Sequence, residues 1–165
     1  MYVNVISRLS MFRCRLRLDD EWYTPDDAWR CIEGLVPKGS RVWEPFYGDG
    51  RSTRAMKRMG YDVVECSPDF FASERKADIV ITNPPFSKIT SIVERLCKMQ
   101  CKFILIVPLH RLASGSLRRA LIGHDVGVVM PRERIDYIKP GRRDGRCPFY
   151  SVFLCVGFDC GVVIQ

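Results

Sequence analysis

The residues best suited to chemistry form one short corner, Asn83-Pro84-Pro85-Phe86, after an apolar run that predicts a buried strand over residues 77–81. Two consecutive prolines fix the backbone torsion φ and remove two backbone donors, so Asn83 should be held in one geometry. An Asn amide offers a hydrogen-bond acceptor and two donors, and Phe86 offers a flat apolar face. Together they could hydrogen-bond and stack a planar ring that carries an amino group. A plain strand-to-loop turn is the alternative, because Asn-Pro marks turns in general.

A glycine loop upstream is the second candidate binding element. Residues 41–44 predict a strand, and residues 45–50 lead from it into a predicted helix. Gly48 and Gly50 allow the backbone to turn sharply and to approach a ligand. Glu44 ends the strand, where an acid can hold a cationic amine.

These two elements together resemble the S-adenosylmethionine-dependent amino methyltransferases, and in particular the phage and Dam-like DNA adenine-N6 enzymes. The resemblance covers about residues 20 to 158. It rests on Asn-Pro-Pro-Phe, on Glu44-Pro45-Phe46-Tyr47-Gly48-Asp49-Gly50, on Trp22-Tyr23-Thr24-Pro25 and on Pro148-Phe149-Tyr150-Ser151.

The resemblance implies that S-adenosyl-L-methionine is the cofactor and that the exocyclic amino group of adenine in nucleic acid is the acceptor. It assigns cofactor contacts to Trp22, Tyr23, Thr24, Glu44, Phe46, Gly48, Gly50 and Asn83. It assigns acceptor binding and catalysis to Asn83, Pro84 and Phe86. Because a base inside a duplex must flip to reach such a corner, we expect a single-stranded or flipped base as the acceptor.

The acid that binds the cofactor ribose is expected at or just past the end of the second predicted strand. We favour Asp69, which lies beside aromatic residues that could flank an adenine ring, ahead of Glu65 and Asp62. The family position itself falls near Ser67.

The order of predicted elements indicates an α/β fold. We expect a Rossmann-like class I methyltransferase sheet, reduced to about six strands and mostly parallel, with a C-terminal antiparallel hairpin over residues 125–130 and 151–158. About ten residues separate the second and third predicted strands, and a parallel crossover needs a dozen or more, so one strand of the full sheet should be missing. Residues 26–34 predict a helix with Thr24 as its N-cap.

The chain has 165 residues and a formal net charge of +7, which suits a polyanionic partner. Residues 1–19 predict a basic N-terminal arm, and residues 20–165 predict a single methyltransferase domain. A long basic segment precedes the last predicted strand, and loops on a rigid sheet commonly carry recognition. We therefore predict nucleic-acid contacts there, with a solvated charge run as the alternative. The predicted contact residues are Arg132, Arg134, Arg142, Arg143 and Arg146.

Eight cysteines include no CxxC pair and no His at zinc-ligand spacing, so we predict no metal site. No apolar run is long enough to cross a bilayer, and the start of the chain has no convincing signal peptide. We expect a soluble intracellular protein, cytoplasmic or nuclear, that makes no membrane contact. A partner protein could supply target recognition.

The residues leave three alternatives open. Asn-Pro-Pro-Phe also fits RNA base methyltransferases that act on guanine or adenine amino groups, including cap-adjacent adenosine. It also fits, usually with Tyr in place of Phe, glutamine methyltransferases that modify proteins. The third alternative is a non-catalytic methyltransferase-like module that binds nucleic acid.

Overall fold

A seven-stranded sheet forms the centre of the molecule in the computed structural model, which describes residues 22–64, 69–74, 76–139 and 147–165. The basic arm predicted for residues 1–19 lies outside the described residues. The strands are β1 (Arg41–Trp43), β2 (Asp62–Val64), β3 (Ile79–Thr82), β4 (Lys102–Pro108), β5 (Val126–Met130), β6 (Ser151–Val156) and β7 (Val162–Ile164). The α-helices are α1 (Arg51–Arg58), α2 (Ile89–Lys98), α3 (Leu109–Leu112) and α4 (Gly115–Leu121), and two 3₁₀ helices span Asp26–Ile32 and Phe86–Lys88.

The strand order across the sheet is β2-β1-β3-β4-β6-β5-β7. Strands β1 to β4 pair in parallel, whereas β6 is antiparallel to both of its neighbours, β4 and β5. The predicted C-terminal antiparallel hairpin is therefore confirmed as β5 and β6. The described residues between β2 and β3 contain no strand, in agreement with the expected shortening of the sheet.

The seventh strand, β7, is one more than the sequence pattern indicated. It pairs in parallel with β5 at the edge of the sheet. Two of its three residues, Val162 and Ile164, are more than two thirds exposed. A three-residue edge strand buries little surface, so its sequence has no distinct apolar pattern that would predict it. Its place in the sheet is set by pairing with β5.

Burial on both faces explains why the central strands read as unbroken apolar runs. Residues Phe103 to Val107 of β4 are completely buried. One face is covered by α2, whose apolar residues recur at helical spacing and are also completely buried. These residues are Ile89, Ile92, Val93 and Leu96.

The predicted helix over residues 26–34 forms as a shorter 3₁₀ helix, Asp26–Ile32. Thr24 is not its N-cap, because Pro25 occupies that position and no side chain caps the helix. Thr24 instead lies buried, with 1% of its surface exposed. Among the described helices, none is long and apolar enough to cross a membrane.

Parallel pairing brings the ends of strands β1 to β4 to one edge of the sheet. These strands end at Trp43, Val64, Thr82 and Pro108, and we call this side the carboxyl edge. Strand β6 begins there, because Pro108 pairs with Ser151. In open α/β sheets ligands bind outside this edge.

Candidate active site

Glu44 is an ionisable residue at the carboxyl edge that is completely buried. It directly follows β1. Its Oε1 accepts a hydrogen bond from the Phe46 backbone N–H at 2.9 Å and another from the Thr82 hydroxyl. Its Oε2 is buried, and no group in the described part of the chain hydrogen-bonds to it. A buried acceptor oxygen therefore remains available to a ligand.

Burial raises the pKa of Glu44 to about 8, because the charged form loses its hydration; the hydrogen bonds from Thr82 and Phe46 oppose this rise. Near neutral pH the carboxyl group is therefore mainly protonated in the free protein. A cation placed against Oε2 would favour the ionised form. An ammonium group is a cation of this kind, and the predicted contact between Glu44 and the cofactor stays a prediction.

The glycine loop after Glu44 needs glycine for its own geometry. Gly48 and Gly50 have φ values of +56° and +76°, in the left-handed region. A Cβ atom on Gly48 would lie 3.3 Å from Cε1 of Tyr23, and one on Gly50 would collide with the Tyr47 hydroxyl. Tyr23 therefore packs over the loop, and Gly48 allows this close approach.

The Asn83 side chain is fixed by one long-range hydrogen bond. Its Nδ2 donates to the Trp22 backbone carbonyl at 2.8 Å. Because a backbone carbonyl can only accept a hydrogen bond, the atom that faces it must be the amide nitrogen Nδ2, and the oxygen Oδ1 is at the other position. The Oδ1 atom is buried, and within the described residues it has no hydrogen-bond partner. The corner, in which Pro84 and Pro85 are buried, therefore presents a fixed acceptor.

Four aromatic side chains form a wall beside Asn83, and we call them the aromatic cluster: Trp22, Phe86, Tyr137 and Phe149. The Phe86 and Phe149 rings meet edge to face at 5.3 Å. Trp22 contacts Phe149 at 5.8 Å and Tyr137 at 6.1 Å. Phe86 is half-buried, so part of its ring is an exposed apolar surface in the same corner as Asn83.

A short antiparallel bridge brings Trp22, Tyr23 and Thr24 to this place. Tyr23 and Ile138 exchange two backbone hydrogen bonds, at 3.0 and 2.9 Å. The bridge ties the chain before the first helix to the segment after β5. As a result the Trp22 carbonyl contacts Asn83, and the Tyr23 ring contacts the glycine loop. The Asn83 corner and the glycine loop are two of the elements on which the resemblance rests.

Asp69, the favoured ribose ligand, is exposed, and its Oδ1 accepts a hydrogen bond from the Phe71 backbone N–H at 2.8 Å. The neighbouring Phe70 ring packs on Phe46 at 5.2 Å, which places this loop near the glycine loop. Asp62, the third choice, forms an ion pair with Arg41 at 4.0 Å. It lies at the start of β2, on the edge opposite the carboxyl edge. The second choice, Glu65, lies outside the described residues, as does Ser67.

The predicted nucleic-acid contacts are only partly described. Arg132 is exposed, and the Arg134 guanidinium lies over the Tyr150 ring, 5.3 Å from its centroid. Sequence reasoning missed a third cation, Lys139, whose ammonium lies 4.5 Å from the Trp22 ring centroid. Arg142, Arg143 and Arg146 lie outside the described residues.

Thr82, Tyr137 and Phe149 are site residues that sequence reasoning did not assign. Phe149 stands in the Pro-Phe-x-Ser segment, which was a usable signal. Thr82 directly precedes Asn83, but nothing in the sequence pairs it with Glu44. The described residues contain no group of three or more His, Cys, Asp or Glu side chains arranged to hold a metal ion.

Comparison with known proteins finds this arrangement of strands in methyltransferases. The chain matches the 23S rRNA methyltransferase ErmE with a TM-score of 0.55 and 13% identity, over 87% of this chain and 72% of that one. It matches a ribosomal protein L11 methylase from Lactobacillus delbrueckii with a TM-score of 0.52 and 14% identity, over 79% and 76%. It also matches the modification subunit of a candidate type I restriction enzyme from Vibrio vulnificus, with a TM-score of 0.57 and 12% identity.

That match covers 86% of this chain and 45% of the restriction-enzyme subunit. No family model matches the sequence, and no curated protein matches it either. Identities this low show the fold alone. The protein therefore has the Rossmann-like class I methyltransferase fold, as predicted from its sequence.

Proposed function

We propose that the protein transfers a methyl group from S-adenosyl-L-methionine to the exocyclic amino group of adenine in nucleic acid, taking a single-stranded or flipped base. The observation that carries the proposal is the Asn83 side chain. Its donor end is tied to the Trp22 carbonyl and its buried acceptor end has no partner among the described residues. An acceptor held in this way is what an amino group needs in order to be oriented.

The residues near Glu44 fit the proposed cofactor on two observations. Glu44 Oε2 is a buried acceptor without a hydrogen bond from the described residues, which suits the ammonium of the methionine end. Gly48 lets the glycine loop lie close to Tyr23, because a side chain at this position would contact the Tyr23 ring. The residues that would hold the cofactor are Trp22, Tyr23, Thr24, Glu44, Phe46, Gly48, Gly50, Asp69 and Asn83. When bound, the cofactor supplies an electrophilic methyl group on a sulfonium.

The corner would orient the acceptor amine. Asn83 Oδ1 and the Pro84 carbonyl each accept one N–H of the amine, as in the enzymes that the sequence resembles. Both protons are thereby drawn to one side, which directs the nitrogen lone pair away from the corner. Phe86 stacks on the base. The nitrogen would gain a bond to the methyl carbon while the bond from that carbon to the sulfonium sulfur breaks, which leaves a neutral thioether. The nitrogen would then lose a proton to water, so the corner needs no strong base.

An RNA base is the second candidate acceptor, because one of the matched structures is an rRNA methyltransferase. The L11 methylase shows that the same fold also occurs in enzymes with a protein substrate. Fold likeness therefore does not choose the acceptor, whereas the Phe86 face and the nearby cations support a nucleobase. Recognition by a partner protein stays a prediction.

The test is methyl transfer from cofactor labelled on the methyl group. Purified protein is incubated with single-stranded DNA, duplex DNA, RNA and a glutamine-containing peptide, and the modified nucleoside is identified by nuclease digestion and chromatography. We expect label in N6-methyladenine, and none in a strand whose adenines are replaced by purine, which has no amino group. Label in RNA alone would favour the second candidate, and no label in any polymer would contradict the proposal.

A further inference from the structure

Tyr150 is an exposed aromatic residue at the carboxyl edge to which neither the resemblance nor the proposed mechanism assigns a role. It is 64% exposed. Its carbonyl accepts a hydrogen bond from the Leu109 N–H at 2.8 Å, at the point where β4 ends and β6 begins. The backbone under the ring is therefore fixed to the sheet, although most of the side chain contacts solvent.

A cation covers part of this ring. The Arg134 guanidinium carbon lies 5.3 Å from the Tyr150 centroid, and Arg134 is itself half-buried. A guanidinium over one face, together with the high exposure of the ring, leaves the other face open. The pair is thus a flat apolar surface backed by a positive charge.

The position of Tyr150 relative to the acceptor corner is set by the residue before it. Phe149 packs on Phe86 of the corner, with the ring centroids 5.3 Å apart. Consecutive Cα atoms are about 3.8 Å apart, so the Tyr150 backbone is directly next to a residue that contacts the corner. A base held at Phe86 would have its nearest neighbours in the strand within reach of this ring.

An open aromatic face beside a cation favours a nucleotide, because every base has a flat face to stack and every nucleotide of a strand carries a phosphate that the cation attracts. We propose that Tyr150, backed by Arg134, is a stacking platform for the nucleotide that flanks the acceptor base in a single strand. The proposal rests on the proposed function, since it places the acceptor base at Asn83 and Phe86. It adds a residue that would make the protein bind a single-stranded nucleic acid more tightly than an isolated nucleoside.

The test measures binding of a fluorescein-labelled single-stranded DNA with one adenine, by anisotropy and in the presence of cofactor. Two further strands lack the base on the 5′ or on the 3′ side of the adenine. We expect Tyr150→Ala to weaken binding of the intact strand roughly tenfold. We expect no further loss when Tyr150→Ala meets the strand that lacks the stacked base. Tyr150→Phe keeps the ring and should bind like wild type.

Ile122→Ala is the matched control, because Ile122 is 76% exposed and precedes β5, which starts at the opposite edge of the sheet. It should leave binding unchanged. Circular dichroism and cofactor affinity check that each variant is folded.

Equal binding of the intact strand by wild type and Tyr150→Ala would overturn the platform, and it would leave the proposed function standing if wild type transfers methyl groups. Equal losses by Tyr150→Ala on all three strands would also overturn it, because the ring would then not contact a flanking base. If wild type binds no single strand, the platform is wrong, whereas the proposed function is decided separately by the methyl-transfer assay on duplex DNA and RNA.

Discussion

Replacing Glu44 with Gln should remove a pH dependence of stability that the wild-type protein carries. In the unfolded chain the carboxyl group has a pKa of about 4.5, whereas burial raises the pKa to about 8 in the folded protein. Between these two values the folded state binds more protons than the unfolded state. The free energy of unfolding therefore falls as pH rises, and this part of the stability is fully present only below about pH 4.5.

The size of the effect follows from the same two values. Each pH unit between them lowers the free energy of unfolding by up to about 1.4 kcal/mol. From pH 5 to pH 7 the loss due to Glu44 should be roughly 2–3 kcal/mol. Gln keeps the shape of the neutral acid and an oxygen that can accept from Thr82 and Phe46, but it does not titrate. Glu44→Gln should lack this loss.

The assay is urea unfolding of wild type and Glu44→Gln at several pH values from 5 to 8, followed by subtraction of the two curves. Subtraction removes the contributions of the other titrating groups. Glu94→Gln, on the exposed face of α2, is the matched control and should keep the wild-type slope. If wild type and Glu44→Gln change in parallel across this range, the reasoning about the buried neutral acid is refuted.

The remaining predictions concern the ligands. Gly48→Val should abolish cofactor binding measured by calorimetry, because valine rarely adopts a φ of +56° and its side chain would collide with Tyr23. Gly34→Ala is the control and should bind normally, because a Cβ atom there meets no atom within 4 Å. Normal binding by Gly48→Val would disprove the loop assignment. Phe86→Ala should weaken acceptor binding by about 1–3 kcal/mol with a smaller effect on the bound step; unchanged affinity with a lost rate would speak against stacking. Affinity for single-stranded nucleic acid should fall as salt rises, and Arg132→Gln should reduce the slope by about one; a salt-independent affinity would refute the basic contact surface.

The sequence was sufficient to predict the strands that are buried on both faces and the helix that packs on them. Strand β4 is an unbroken apolar run after Lys102 because it is buried on both faces, whereas helix α2 has apolar residues at helical spacing because only one of its faces packs on the sheet. The edge strand β7 has no such requirement, so its pattern did not stand out. Thr24 was predicted as the cap of the first helix because a Thr followed by Pro and two acids is typical of a helix start. In the structure the helix begins one residue later, and Pro25 occupies the N-cap position.

The candidate site was predictable where the residue type alone limits the chemistry. Asn83 and Glu44 stood out because an amide after a rigid strand end and an acid before a glycine loop have few structural uses. The bond from Asn83 to the Trp22 carbonyl could not be predicted, because any residue has a backbone carbonyl. That contact depends on the bridge between Tyr23 and Ile138, which pairs segments far apart in the chain.

The most direct test of the central claim is the single-turnover rate of methyl transfer by Asn83→Ala, with saturating cofactor and acceptor. Asn83→Ala removes only one of the proposed cofactor contacts and leaves those around Glu44 in place, so cofactor affinity should fall only slightly, and a thermal melt checks the fold. Loss of the oriented acceptor should lower the rate roughly a hundredfold or more. A wild-type rate in purified Asn83→Ala would show that the corner is only a turn.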